Sequence, residues 1–95
     1  MTHQMMKKAK LKQHRSSKAI ALAMQSRWEE AVAVNKSIIE LFPNDVDAYN
    51  RLGKALTELG RYAEAEEAYK RVLDIAPNNA IAKRTQDPPT HFREA

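Results

Sequence analysis

The sequence has 95 residues, of which 43% are hydrophobic and 29% are charged, and its formal net charge at pH 7 is +4. This length and composition predict one small soluble domain. The absence of cysteine excludes disulfide bonds, thiolate nucleophiles and cysteine-ligated zinc, and it agrees with a reducing compartment, so we predict a cytoplasmic protein. The apolar run AIALAM, from Ala19 to Met24, is far too short for a membrane span.

The first predicted element is a helix from about Met5 to Gln25, which is basic at its start and apolar toward its end. Up to Trp28 the chain carries seven basic residues and no acidic one, whereas from Glu29 onward it carries nine basic and twelve acidic residues. A segment of one charge sign points to a partner of the opposite sign. The candidate basic patch consists of Lys7, Lys8, Lys10, Lys12 and Arg15.

Three interpretations of this basic segment remain open. It is a solubilising extension, a contact for RNA, DNA or another anionic surface, or a targeting or lipid-surface segment. The segment lacks interleaved aromatic residues and a base-reading motif, so nucleic-acid binding would rest on salt-sensitive contacts with phosphates.

The chain repeats itself with a period of 34 residues. A fixed period of this length predicts stacked copies of one supersecondary unit. Identical residues at this spacing include Ala21 and Ala55, Arg27 and Arg61, Glu30 and Glu64, Ala31 and Ala65, Lys36 and Lys70, Pro43 and Pro77, and Asn44 and Asn78.

Each copy predicts two helices joined by a tight turn. In the second copy, apolar residues recur at helical spacing between Pro43 and Gly60 and again between Arg61 and Pro77. Gly60 supplies the left-handed residue that ends the first of these helices, and Pro77 prevents the second from continuing. Tyr62, just after the turn, is expected to cover the seam between the two helices.

Small residues predict where the helices of each copy approach most closely. These residues are Ala19 and Ala31 in the first copy and Gly53 and Ala65 in the second. Larger side chains are expected to fill the space around these contacts at interior density.

The second copy resembles the tetratricopeptide repeat family. The family pattern is a large aromatic residue, Leu-Gly, another bulky residue, then alanine, a second aromatic residue and a closing proline. The positions hold Tyr49, Leu52, Gly53, Leu56, Ala65, Tyr69 and Pro77. The first copy keeps the pattern in its second helix, but Arg15, Lys18 and Ala19 stand at the aromatic, leucine and glycine positions.

The resemblance implies an all-α fold in which antiparallel helix hairpins stack in a right-handed solenoid, with about four helices plus a short C-terminal helix. We divide the chain into a basic extension that continues into the first helix (1–11), a first repeat with a degenerate first helix (12–45), a second repeat (46–79), a short capping helix (80–86) and an irregular tail (87–95). A third copy would begin at Ala80, but Pro88 and Pro89 end it, because a helix cannot continue through them.

The resemblance also implies a non-enzymatic scaffold that binds a peptide or protein partner. Family members bind peptides on the concave face, mostly through the first helix of each repeat. The matching candidates are Asn50, Lys54, Thr57, Asp47, Met24, Ile20 and Arg84. The pattern with which some members hold a C-terminal carboxylate is not met, because Ser16 and Ile20 occupy positions of its lysine and asparagine. The alternative function is association with nucleic acid through the basic helix, with the repeats as scaffold.

Catalytic motifs are absent from the sequence. The three histidines, His3, His14 and His91, do not share a metal-ligand spacing, and no glycine-rich loop could cradle a phosphate. We therefore predict no enzyme activity, no cofactor and no bound metal.

The incomplete third copy is expected to leave an apolar surface at the end of the last hairpin. The residues expected there are Tyr69, Val72, Leu73, Ile81 and Phe92. Exposed apolar patches tend to bind something, so we predict self-association into a homo-oligomer, with a dimer as the simplest form.

Overall fold

A computed structural model describes residues 2–78, and it describes side chains for residues 6–78. These residues form four α-helices and no strand: α1 (Thr2–Met24), α2 (Trp28–Leu41), α3 (Val46–Glu58) and α4 (Tyr62–Ile75). The fold is therefore all-α, as the resemblance implies. The predicted capping helix and tail, and with them Arg84, Ile81 and Phe92, lie outside the described residues.

The helices pack in the order of an array of hairpins. Each helix packs against the next one along the chain, and α1 also contacts α3. The core between them contains the fully buried side chains of Ile38, Leu56 and Val72. The stacked hairpins predicted from the repeat are thus confirmed, and the first helices of the two hairpins, α1 and α3, are neighbours.

The turns inside the two hairpins are built in the same way. Ser26 (φ 58°) and Gly60 (φ 78°) are left-handed, and each follows the last residues of a first helix. The closing bonds run from the Ser26 N–H to Ala23 and the Arg27 N–H to Leu22, and from the Gly60 N–H to Thr57 and the Arg61 N–H to Leu56. This pair of bonds satisfies carbonyls that a helix end leaves without partners, which explains why both copies turn at the same repeat position.

The structure defines the starts of α1 and α3 more closely than the sequence pattern does. α1 begins at Thr2, three residues before the predicted start. α3 is capped by Asp45, whose Oδ1 accepts a hydrogen bond from the Ala48 N–H at 3.2 Å. A capping carboxylate of this kind partners one of the free N–H groups of the first turn.

Inside the second hairpin, the ring of Tyr69 lies against Gly53, where a side chain would otherwise stand, and Ala65, the other small residue, is buried. In the first hairpin, the residues 34 positions before Gly53 and Tyr69 are Ala19 and Asn35, and both are buried. An asparagine is smaller than a tyrosine, so the first hairpin has room for an alanine methyl where the second requires glycine.

The burial of two side chains differs from what the repeat pattern predicts. They are Tyr62, which follows the turn of the second hairpin, and Lys18 on α1. The prediction that Tyr62 covers the seam is wrong, because its side chain is 68% exposed. Lys18 is exposed although Leu52, at the same repeat position, is buried. The difference arises because α3 lies between α2 and α4, whereas α1, within residues 2–78, packs closely against α2 and makes only a smaller contact with α3.

Candidate partner-binding face

The residues predicted to bind a partner lie on the two neighbouring first helices. The α1–α3 face comprises Ile20 and Met24 on α1 and Asp47, Asn50, Lys54 and Thr57 on α3. All of them are exposed except Asn50, which is half-buried. Ile20 and Lys54 occupy the same repeat position, which is why the two helices present them in the same orientation. The last predicted residue, Arg84, lies outside the described residues.

The α1 side of this face is apolar. Ile20 is 47% exposed and Met24 is 82% exposed. They are four residues apart on one helix, so their side chains are neighbours along the same side of α1. Large apolar side chains left in water at adjacent positions are available to contact a partner.

The α3 side is polar, and its side chains are held by bonds within α3. The Lys54 ammonium pairs with the Glu58 carboxylate at 2.9 Å, one turn away on the same helix. The Thr57 hydroxyl donates to the Gly53 carbonyl at 2.7 Å. The α1–α3 face thus sets an apolar strip beside a strip of charged and hydroxyl groups.

A polar network between α1, α2 and α3 was missed by the sequence reasoning. Arg51 donates from Nε to Asn35 Oδ1 at 2.9 Å and from Nη2 to Ser16 Oγ at 3.3 Å. Asn35 is 1% exposed, and its Nδ2 donates to the Ala31 carbonyl at 2.9 Å. The available signal was the polar Asn35 at the repeat position that holds Tyr69 in the second copy, since a buried amide requires partners.

Tyr69 lies beneath the α3 side of the face. Burial raises the pKa of its hydroxyl above the ordinary value of 10.0, because the charged form is desolvated. The positive charge of Lys54 and a hydrogen bond with the Thr57 side chain act in the opposite direction and lower this pKa. The hydroxyl therefore reaches from the core toward two residues of the α1–α3 face.

The predicted basic patch divides into two groups. Lys7, Lys8 and Lys10 are exposed, as predicted. Lys12 and Arg15 are half-buried and also hold α1 against the rest of the fold. Their contacts are Lys12 Nζ to Asp45 Oδ2 at 3.1 Å, Lys12 Nζ to the Phe42 ring centre at 5.2 Å, and Arg15 Nη1 to the Ser37 carbonyl at 3.2 Å.

The predicted self-association surface also needs correction. Tyr69 is 5% exposed and Val72 is fully buried, so both belong to the core and not to an accessible end face. Leu73 is half-buried against that core. Ile81 and Phe92 lie outside the described residues.

The part of the chain that the structure describes offers neither a metal site nor a membrane span. Among residues 2–78, no three histidine, aspartate or glutamate side chains are grouped so that they could hold a metal ion. None of the four described helices combines the length and the apolar character needed to cross a membrane.

Helix hairpins stacked side by side, with a 34-residue period and the same turn in each copy, define a helical repeat protein. The family model of the tetratricopeptide repeat matches residues 46–79, which contain α3 and α4. The chain therefore belongs to the tetratricopeptide repeat family, and the resemblance found in the sequence is confirmed.

Three relatives align with about two thirds or more of this chain. Two are small glutamine-rich tetratricopeptide repeat-containing protein 2, from Mycosarcoma maydis (35% identity over 73% of this chain and 20% of the relative) and from Saccharomyces cerevisiae (36% over 76% and 21%). The third is the Hsp70-Hsp90 organizing protein of Triticum aestivum (38% over 67% of this chain and 11% of the relative). The chain thus spans about a fifth or less of the length of these relatives.

Proposed function

We propose that the chain is an interaction module that binds a peptide segment of a partner protein on the α1–α3 face. The observation that carries this proposal is the exposure of Ile20 and Met24 on α1 beside the polar strip of α3. Burying two such side chains would contribute several kcal/mol of apolar transfer energy to binding. The polar groups of α3 would set the orientation of the bound segment. The function is binding, without a chemical step.

The comparisons support a protein as the partner. The tetratricopeptide repeat, together with relatives named for containing such repeats or for organising other proteins, indicates a protein–protein interaction module. The wheat relative is named for organising two other proteins, Hsp70 and Hsp90.

The test is capture of partners from a lysate of the source cell by the full chain and by surface variants. Ile20→Ser and Met24→Ser together should remove the captured protein, because both side chains are already exposed and their loss leaves the core intact. Leu41→Ser is the matched control, since Leu41 is an exposed apolar residue on α2. Equal capture by all three proteins would contradict the proposal.

A second candidate function is association with a polyanion such as RNA or DNA. It is supported by the exposed lysines Lys7, Lys8 and Lys10 on a helix that contains no acidic residue. Replacing these three residues by glutamine leaves the Lys12 and Arg15 contacts in place. In a gel shift, binding should weaken steeply between low salt and about 0.2 M salt, because it depends on phosphate contacts, and the triple variant should not bind.

Further parts of the proposal concern organisation and location. We propose that residues 12–45 and 46–79 are two repeats, preceded by the basic extension 1–11 and followed by the capping helix 80–86 and the tail 87–95. We also propose a cytoplasmic location and a homodimer in which Leu73, Ile81 and Phe92 take part. Sedimentation velocity over a range of concentrations tests the dimer, and a monomer at every concentration would exclude it.

A further inference from the structure

Ser26, in the turn between α1 and α2, has a left-handed backbone conformation although it is not a glycine. Its φ is 58°, and in the described part of the chain it is the only residue other than glycine with a positive φ. A residue with a Cβ atom is strained in this conformation, because the Cβ lies too close to the following carbonyl oxygen. Gly60, at the same position of the second hairpin, carries no such strain. The turn of the first hairpin is therefore strained, whereas the turn of the second is not.

The turn of the first hairpin can also become helical. Residues 25–27, which join α1 to α2, are glutamine, serine and arginine and include neither glycine nor proline. α2 begins without a side-chain cap, so the N–H groups of its first turn lack that kind of partner. In one continuous helix formed from α1 and α2, those N–H groups would bond to the carbonyls that end α1. In the second hairpin, Gly60 disfavours the same change because glycine is a poor helix former.

α1 docks on the rest of the fold with few buried apolar side chains. Its buried residues are Ala19 and Leu22, and no side chain from residue 6 to residue 18 is buried. The earlier part of α1 docks through polar contacts instead, which are Lys12 with Asp45, Arg15 with the Ser37 carbonyl, and Ser16 with Arg51. A segment with little apolar burial separates from a fold at a lower free energy than the core does. α1 is therefore the helix that can leave its place while the other three stay together.

We propose that two copies of the chain exchange α1 with each other. In each copy the turn at Ser26 opens, α1 and α2 become one helix over residues 2–41, and α1 of one copy occupies the place of α1 in the other. Every contact that holds α1 in the monomer forms again between the copies, so the exchange loses none of them. Relief of the left-handed Ser26 and the added helical bonds favour the dimer, and the entropy of association opposes it.

The first test changes the turn and measures the dimer dissociation constant of the full chain by sedimentation equilibrium. Ser26→Gly removes the strain from the closed turn and weakens the continuous helix. It should raise the dissociation constant about tenfold or more, because each dimer opens two turns. Ser26→Ala favours the helix and should lower the constant several-fold. Ser17→Ala is the matched control, since it makes the same side-chain change at an exposed position of α1 and should leave the constant unchanged.

The second test needs no variant and locates α1 directly. Isotope-labelled copies of the chain are refolded together with unlabelled copies at high concentration, so that mixed dimers form. Isotope-filtered NOE spectra of these dimers should show contacts between α1 of one copy, at the buried Ala19 and Leu22, and α2 of the other copy. A dimer in which both hairpins stay closed would give the contacts between α1 and α2 only within one copy.

The outcomes separate the exchange of α1 from the other proposals. If the wild type and Ser26→Ala both stay monomeric up to about 1 mM, the exchange is overturned. It is also overturned by a dimer that has the same dissociation constant in both Ser26 variants and shows no α1–α2 contact between copies. That second result would leave the homodimer through Leu73, Ile81 and Phe92 in place. The inference goes beyond the proposed function, because neither test depends on peptide binding at the α1–α3 face.

Discussion

Gly53 lies directly against the ring of Tyr69: a Cβ atom added at Gly53 would stand 2.6–2.8 Å from three carbon atoms of that ring. Real Cβ atoms do not approach other atoms so closely, and the Tyr69 ring is buried on its other sides. This contact sets how near α3 and α4 can pack, and thereby the position of the polar side chains that α3 presents.

Gly53→Ala should therefore destabilise the chain by roughly 1–3 kcal/mol, as overpacking of a core does. Helix propensity alone predicts a gain of about 1 kcal/mol for the same change, so the sign separates steric conflict from propensity. The measurement is urea denaturation. In a Tyr69→Leu background, Gly53→Ala should lower the free energy of unfolding by less than it does in the wild type. Additive changes in this free energy would contradict a direct contact between Gly53 and Tyr69.

Substitutions at the two left-handed turn residues, Ser26 and Gly60, should have opposite effects on stability. Ser26→Gly should stabilise the chain by about 1 kcal/mol, because a non-glycine residue with a left-handed backbone carries a penalty of that order. Gly60→Ala should destabilise it by a similar amount. Thermal denaturation of both variants measures the effects. The same sign in both would mean that the turns do not share one backbone geometry.

Among the lysines of α1, Lys12 should be the one whose substitution lowers the stability of the fold. Its ammonium lies 3.1 Å from Asp45, whose side chain is only 4% exposed and caps α3. Lys12→Met should cost on the order of 1 kcal/mol, because it leaves a buried carboxylate without its counter-ion. Lys10→Met is the matched control and should be neutral. Equal stability of the two variants in urea would show that the pair contributes nothing.

From the raised pKa of the Tyr69 hydroxyl we predict that the folded chain loses stability at alkaline pH. Its pKa is raised in the folded chain, so the unfolded chain releases this proton at a lower pH than the folded chain does. The stability that the protonated hydroxyl contributes is complete below pH 10 and falls as pH rises from there through the raised pKa. Tyr69→Phe should lose less stability over the same range. Identical pH profiles for both proteins in urea denaturation would contradict this assignment.

The helices and turns could be predicted from the sequence because their signals are local. Gly60 and Pro77 each act within a few residues of where they stand, and the 34-residue period shows that the same local signals occur twice. Ile20 and Met24 were located through the resemblance to the tetratricopeptide repeat family, because they match its concave-face positions, and the structure shows both side chains exposed.

The polar contacts could not be predicted in the same way. Arg51 meets side chains 16 and 35 residues away, and Lys12 meets Asp45 across two helices. Such partners are set by how helices pack, which periodicity does not report. Tyr62 was misplaced for a related reason, because the rings at the two hairpin turns have different neighbours: Trp28 packs against the core, whereas Tyr62 points largely into solvent.

The binding face is tested most directly by NMR chemical-shift mapping of the full chain with a captured partner segment. We predict that the backbone amides with the largest shifts lie on α1 and α3, around Ile20, Met24, Lys54 and Thr57. Shifts confined to α4, or to the exposed lysines Lys7, Lys8 and Lys10, would contradict binding at the α1–α3 face.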